Sequence, residues 1–369
     1  MSLPDWTRVR RLLVLRLDNL GDVVMIGPAL RAIKAHHPQI HLTLLASPGG
    51  APAAPLLPWV DQLRVHRPSW QDLGRLPFDP AREATLINAL RGGHYDAALI
   101  LTSFNQSPHP AALACALAGI PVRIASSHER GQALTFALPS APDPLHQVER
   151  YLRLVEAVGL PATDRRLALA IPEAARTGAR ELLAARGVTA DYLVLNPFTS
   201  CEARTYEPAR FASAARIIGD RTGLAVALCG GEKDRSRAAA LVERLGPRGV
   251  NLVGATDLPL FAAVIAGARL VLTGNTGALP IADALSVPQL ILYAGTDLES
   301  QWAPRASPHL LLRRETPCSP CYRFTCPYHH ECLAFSPVQV ATTALQLLRH
   351  PRSRPAAAPT VTPTTAGIR

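Results

Sequence analysis

Three stretches of this 369-residue chain carry side chains whose types and spacing could do chemistry. The first is RLDNLGD, Arg16 to Asp22, which packs an arginine, two aspartates and an asparagine ahead of a helical pattern. Asp22 has two readings there. It is a cap or first-turn aspartate, worth roughly 1 kcal/mol, or a general base set over a ligand. A helix start stabilises a carboxylate and lowers its pKa, so a base at this position needs desolvation by a closing cleft to raise it again. The second stretch is Gly274-Asn275-Thr276-Gly277, a glycine-containing loop between a strand and a helix. Free backbone N–H groups and close approach at glycine suit a diphosphate held without metal, although an ordinary turn has the same pattern. The third holds Cys318, Cys321, Cys326 and Cys332, with His329 and His330 among them. Its first pair is C-x-x-C, but the later spacings match no standard zinc template. A loop stapled by structural zinc or a disulfide, reduced thiols without metal, and a redox pair all remain open.

These residues need elements to place them. Leu12 to Leu17 is a short apolar run of the length of a buried parallel strand, and apolar residues from Val23 recur at helical spacing until Pro38. Strands follow at 40–46, 60–66, 95–101 and 122–125, with helical patterns at 81–90 and in the alanine-rich stretch ending at Gly119. Leu145 to Val158 is a helix stopped by Gly159 and Pro161. A second series then begins, with strands at 192–196, 224–229, 270–273 and 289–293, a turn at Gly230-Gly231, and a last helix, 338–348, capped by Ser336. Such alternation predicts an α/β protein of two doubly wound, Rossmann-like domains: residues 1–165, with the Asp22 loop, and 166–350, with the glycine loop and the cysteines. Residues 351–369, rich in Pro, Thr and Ala, read as a disordered tail.

The chain is long enough for two cores. Its net charge of +10 rests on arginine, since only Lys34 and Lys233 are lysines. That charge favours anionic partners: nucleotide phosphates, a phosphorylated glycolipid or a membrane surface. Nucleic acid is excluded as an expected partner, because the arginines are dispersed and no recognition motif accompanies them. No apolar stretch is long enough to span a bilayer. The N-terminus lacks an isolated apolar region with a cleavage site, so the expected place is the cytoplasm.

The run RLDNLGDVVMIGPALRAIKAHHP resembles the N-terminal motif of glycosyltransferase family 9, the ADP-heptose:lipopolysaccharide heptosyltransferase group. The resemblance implies a GT-B architecture, two facing Rossmann-like domains with a cleft between them, and Asp22 as the matching catalytic base. VLTGNTGALPIADALSVPQLILYAGTD, residues 271–297, is similar to the family's second signature. Thr276 and Gly277 match it, while Asn275 stands where aspartate is usual and Pro280 where histidine is usual. Asn275 removes a negative charge beside the diphosphate; Pro280 removes an imidazole while suiting the first turn of a helix. The stretch TSCEARTYEP puts Arg204 on the family's phosphate-binding lysine and Tyr206 on its tryptophan, and a guanidinium can grip phosphate through two oxygens. Asp234, in a G-G-x-x-D turn, is read either as a ribose-hydroxyl acceptor or as an exposed helix-start aspartate.

The implied activity is inverting, metal-independent transfer of a sugar, heptose being the first candidate, from a nucleotide diphosphate sugar to a hydroxyl of a cell-envelope glycolipid or polysaccharide. No catalytic cofactor is expected. Arg16, Asn19 and the loop 103–110 are expected near the acceptor, and peripheral contact with the inner membrane suits a membrane-anchored one. Two other readings are carried. A non-catalytic nucleotide-sugar or glycan-binding relative is motivated by Asn275 and Pro280. A Rossmann oxidoreductase is disfavoured because G-x-G-x-x-G does not follow the first strand.

Overall fold

Arg11–Arg16 forms β1, buried at every position after the first, as an apolar run without alternation requires cover on both faces. The structure is a computed structural model that describes residues 4–349 except 73 and 130. Beside β1 stand β2 (His41–Ala46), β3 (Gln62–Val65), β4 (Ala97–Ile100), β5 (Val122–Ser127) and β6 (Phe136–Pro139). The second series is β7 (Tyr192–Asn196), β8 (Ala225–Leu228), β9 (Gly249–Asn251), β10 (Val271–Gly274), β11 (Gln289–Leu292) and β12 (His309–Leu312). Among the described residues these make two six-stranded sheets, ordered β3-β2-β1-β4-β5-β6 and β12-β11-β10-β7-β8-β9. Every pairing is parallel. The second sheet repeats the order of the first. In each, the winding reverses beside the first strand of the series, between β1 and β4 and between β7 and β10, and ligands of such sheets bind beyond the carboxyl ends at that reversal.

The expected strands, the edge strand β3 among them, are found within one or two residues. β6, β9 and β12 were not expected. Each is a sheet-edge strand of only three or four residues, half-buried or exposed along its length. The first helix also differs. It begins at Leu20, with Asn19 as its N-cap, and breaks at Ile26 into Leu20–Met25 and Gly27–His36. Pro28 has no N–H to return to the preceding turn, which accounts for the break. Asp22 is therefore the third residue of a short helix, not its cap, and its carboxylate accepts from the Asn19 N–H at 3.1 Å.

The helix Gln147–Ala157 packs on Gly27–His36, and the helix Glu173–Ala185 on Leu258–Gly267. The chain passes from one half to the other between them. One hydrophobic cluster runs through both halves: Val23, Ile26 and Ala29 share it with Ala278, Ile281 and Ala282. The helix Pro337–Leu348 closes the second half against Pro208–Thr222. Ser336 begins it with a reciprocal cap, Gln339 N–H to Ser336 Oγ at 3.2 Å and Ser336 N–H to Gln339 Oε1 at 2.8 Å. The expected tail, 351–369, lies outside the described residues. Among those residues no helix is long and apolar enough to cross a membrane.

Candidate active site

The two winding reversals face one another. The helix Leu20–Met25, which follows β1, packs on Ala278–Ala284, which follows β10. Contact there depends on glycine: a Cβ on Gly21 would sit 3.2 Å from the Gly277 Cα, and one on Gly277 would run into Leu20. Beside this contact opens a cleft of about 290 Å3. Loops at the carboxyl ends of β1, β4, β7 and β10 line it, joined by Asp297 after β11 and by Tyr322 to Phe324.

Asp22 stands on the first wall. Beneath it lies Arg16, with no exposed surface and no place in the cleft lining. Its Nη2 donates to Asp22 Oδ1 at 3.1 Å and to Ser103 Oγ at 2.8 Å. Its Nη1 pairs with Asp18 at 2.9 Å and donates to the Leu101 carbonyl at 3.2 Å. The Tyr151 ring supports the guanidinium at 5.5 Å. Arg16, expected near an acceptor, is thus spent on holding two carboxylates. Asn19 is exposed at the cleft. Burial pushes Asp22 above the ordinary carboxylate pKa; the Arg16 charge opposes that rise and the Asp18 charge adds to it. The loop after β4 contributes Ser103 and Gln106, the latter donating to Asp18 Oδ1 at 2.6 Å.

On the facing wall, Arg204 is bound to Asp297 at 2.8 Å and donates through Nε to Thr296 Oγ1 at 3.1 Å. Asn275 Nδ2 donates to the same Asp297 oxygen at 3.3 Å. This gives the asparagine a physical reason, because an aspartate there would set two carboxylates against each other. The buried Asn275 Oδ1 has no hydrogen-bond partner. Thr276 Oγ1 accepts from the Ala278 N–H and from Asn196 Nδ2, each at 3.2 Å. Pro280 lines the cleft beside Gly21. Asp297 ends the stretch 271–297, in the loop Gly295-Thr296-Asp297, and its place in the second signature was the signal that could have singled it out.

Asp234, Tyr206 and the cysteine segment have surroundings of their own. Asp234 is buried, not exposed, and lies outside the cleft lining; its carboxylate accepts from the Gly231 N–H at 3.0 Å and pairs with Arg237. Tyr206 is buried, packs edge-on against Phe211 and donates to the Phe335 carbonyl at 2.8 Å, away from the cleft. No two of the seven cysteines are bonded to one another, which agrees with the reading of reduced thiols. Cys318, Cys321, Cys326 and Cys332 do line one small cavity of about 20 Å3. Among the described residues, however, no group of three or more His, Cys, Asp or Glu is arranged to hold a metal ion. His330 instead pairs with Glu202 at 3.0 Å.

The arrangement can hold an anion on one wall while a half-buried carboxylate takes a proton on the other. The solved glycosyltransferase of family 9 from Veillonella parvula superposes with a TM-score of 0.77 at 20% identity, covering 95% of this chain and 99% of that one. The Escherichia coli ADP-heptose lipopolysaccharide heptosyltransferase II gives a TM-score of 0.70 at 21% identity, covering 92% and 98%. In sequence, the lipooligosaccharide heptosyltransferase 2 of Haemophilus ducreyi is 25% identical over 326 residues, 82% of this chain and 88% of its own length. The profile described as glycosyltransferase family 9 (heptosyltransferase) matches residues 84–331, beginning downstream of the Asp22 stretch. With more than half of its length matched, this chain belongs to glycosyltransferase family 9, the heptosyltransferase family, and is a glycosyltransferase with the two-domain GT-B fold.

Proposed function

We propose that this chain transfers heptose from ADP-heptose to a hydroxyl of a lipopolysaccharide-type acceptor, with inversion and without a catalytic metal. One observation carries the reading: a half-buried carboxylate with a raised pKa and a phosphate-competent wall face each other across the cleft where both sheets reverse. Heptose and a lipopolysaccharide or lipooligosaccharide acceptor are suggested by the names of the relatives.

Asp22 accepts the proton of the acceptor hydroxyl as that oxygen bonds to the anomeric carbon. The bond from that carbon to the diphosphate oxygen breaks on the opposite side, which inverts the centre. The departing diphosphate is met by Arg204, the Thr276 hydroxyl and the Gly277 backbone, which supply electrostatic stabilisation in place of a divalent ion. Arg16 acts as a positioning residue for Asp22, and Asn19 with the loop 103–106 meets the acceptor. Asp234 serves its own turn. The thiols act structurally. Positive net charge favours docking at the anionic cytoplasmic face of the inner membrane.

The test is nucleotide release coupled to acceptor glycosylation, run in excess EDTA over a panel of nucleotide sugars with the host's glycolipid fraction. Transfer from ADP-heptose that persists in EDTA supports the reading. Donors that bind but are never transferred would favour a non-catalytic relative, and activity restored only by a divalent ion would remove the metal-independent mechanism.

A further inference from the structure

The charged groups lining the cleft pair off almost completely. Asp18 and Asp22 share Arg16, and Asp297 holds Arg204 while accepting further hydrogen bonds from Thr296 and Asn275. Arg323 is left over. It is exposed, lines the same cleft, and has no ion pair or side-chain hydrogen bond among the described residues. Arg204, by contrast, has much of its charge offset by Asp297.

Arg323 is also held in place. It sits on the irregular arm that contains Cys321 and Cys326, and the residues around it are bonded to the two loops bearing Arg204 and Asp297. The Cys321 N–H donates to the Gly295 carbonyl and the Tyr322 N–H to the Thr296 carbonyl, both at 2.9 Å. On the other side, the Ala203 N–H donates to the Phe324 carbonyl at 3.0 Å, and the Cys201 thiol donates to that same carbonyl at 3.1 Å. Tyr322 has a φ of 51°, in the left-handed region where a bulky residue is strained. Its ring lies 5.7 Å from that of Phe104 in the other half. The arm therefore reaches from one half to the other beside the cleft and lines it with an unpaired guanidinium.

A diphosphate leaving group gains negative charge as it departs, and guanidinium groups grip phosphate through paired oxygens. We propose that Arg323 is the second phosphate-binding cation of the site, contacting the donor's diphosphate, and that the cysteine-rich arm exists to carry it. The inference rests on the transferase reading above. A phosphate on the acceptor has the same chemistry, but attachment of the arm to the Arg204 and Asp297 loops favours the donor.

The experiment measures binding of ADP, adenosine and inorganic pyrophosphate by calorimetry, and steady-state transfer, for wild type, Arg323→Ala and Arg323→Lys. Arg323→Ala should weaken ADP and pyrophosphate roughly 10- to 100-fold and leave adenosine unchanged, with Arg323→Lys in between. Its melting temperature should match wild type, as expected for an exposed side chain. Unchanged ADP binding overturns the proposal, and so does a rise confined to the acceptor KM, which would move the contact to the acceptor. Wild type that transfers sugar while the variant binds ADP normally refutes Arg323 alone. Wild type that binds neither ADP nor pyrophosphate refutes the donor reading with it.

Discussion

Asp22 is pulled in opposite directions by its surroundings. Burial and the Asp18 charge raise its pKa while Arg16 lowers it, and the rise prevails. An acid raised by folding lends full stability below its unfolded pKa and loses it as pH rises through the folded one. At neutral pH an ionised Asp22 is thus a cost to the fold. Asp22→Asn keeps an oxygen for the Asn19 N–H and leaves Arg16 paired with Asp18, so it should melt no lower than wild type at pH 7.5. A fall of several degrees would mean that the Arg16 pair dominates. The R-x-D-x-x-G-D spacing made both carboxylates legible in the sequence. What it could not show is that Arg16, at the end of a strand buried on both faces, turns inward. A guanidinium in a basic chain reads as a ligand until its burial is seen. Asp234 has the same history, because a turn aspartate and a ribose acceptor look alike in one dimension.

All the strands buried at every position were legible in the sequence. The central strands announce themselves as apolar runs; of the four edge strands only β3 was expected, and β6, β9 and β12 are short and half-covered. The cysteine arm has neither period nor run, so its place in the cleft could be found only from the fold. The contact between the Leu20–Met25 and Ala278–Ala284 helices was likewise hidden, although its glycines stood in both motifs. Gly277 has ordinary helical dihedrals, so alanine is tolerated by the backbone and meets only Leu20. Overpacking of this kind costs about 1–3 kcal/mol. Gly277→Ala should lower kcat/KM for transfer by roughly 5- to 100-fold through displaced loops, and adding Leu20→Ala should recover much of the loss. A double variant as impaired as the single one would show that Gly277 acts by another route.

At the scale of the whole molecule, polar contacts join the halves away from the cleft. Gln301 Nε2 donates to the Asp143 carbonyl at 2.7 Å, and Arg305 pairs with Glu149 while donating to the Arg165 carbonyl at 2.7 Å. His146 Nε2 lies 3.0 Å from the Ala303 carbonyl, and its Nδ1 accepts from the Val148 N–H at 3.2 Å, so the ring is neutral. Burial and the Arg305 charge push its pKa down from 6.5 to about 4. The unfolded chain binds a proton there that the folded chain refuses, so stability falls as pH drops from about 6.5 to about 4. His146→Gln should lose less melting temperature than wild type between pH 7 and pH 5, and an equal loss would rule the residue out as the source. The junction brings the two winding reversals together, and the central claim is that transfer occurs between them with Asp22 as the base. The most direct measurement is the rate of sugar transfer by Asp22→Asn beside its affinity for ADP. A fall in kcat of about 10²- to 10⁴-fold with ADP affinity and fold retained is the predicted result. Transfer within about threefold of wild type, well short of the loss expected for a missing general base, would contradict it.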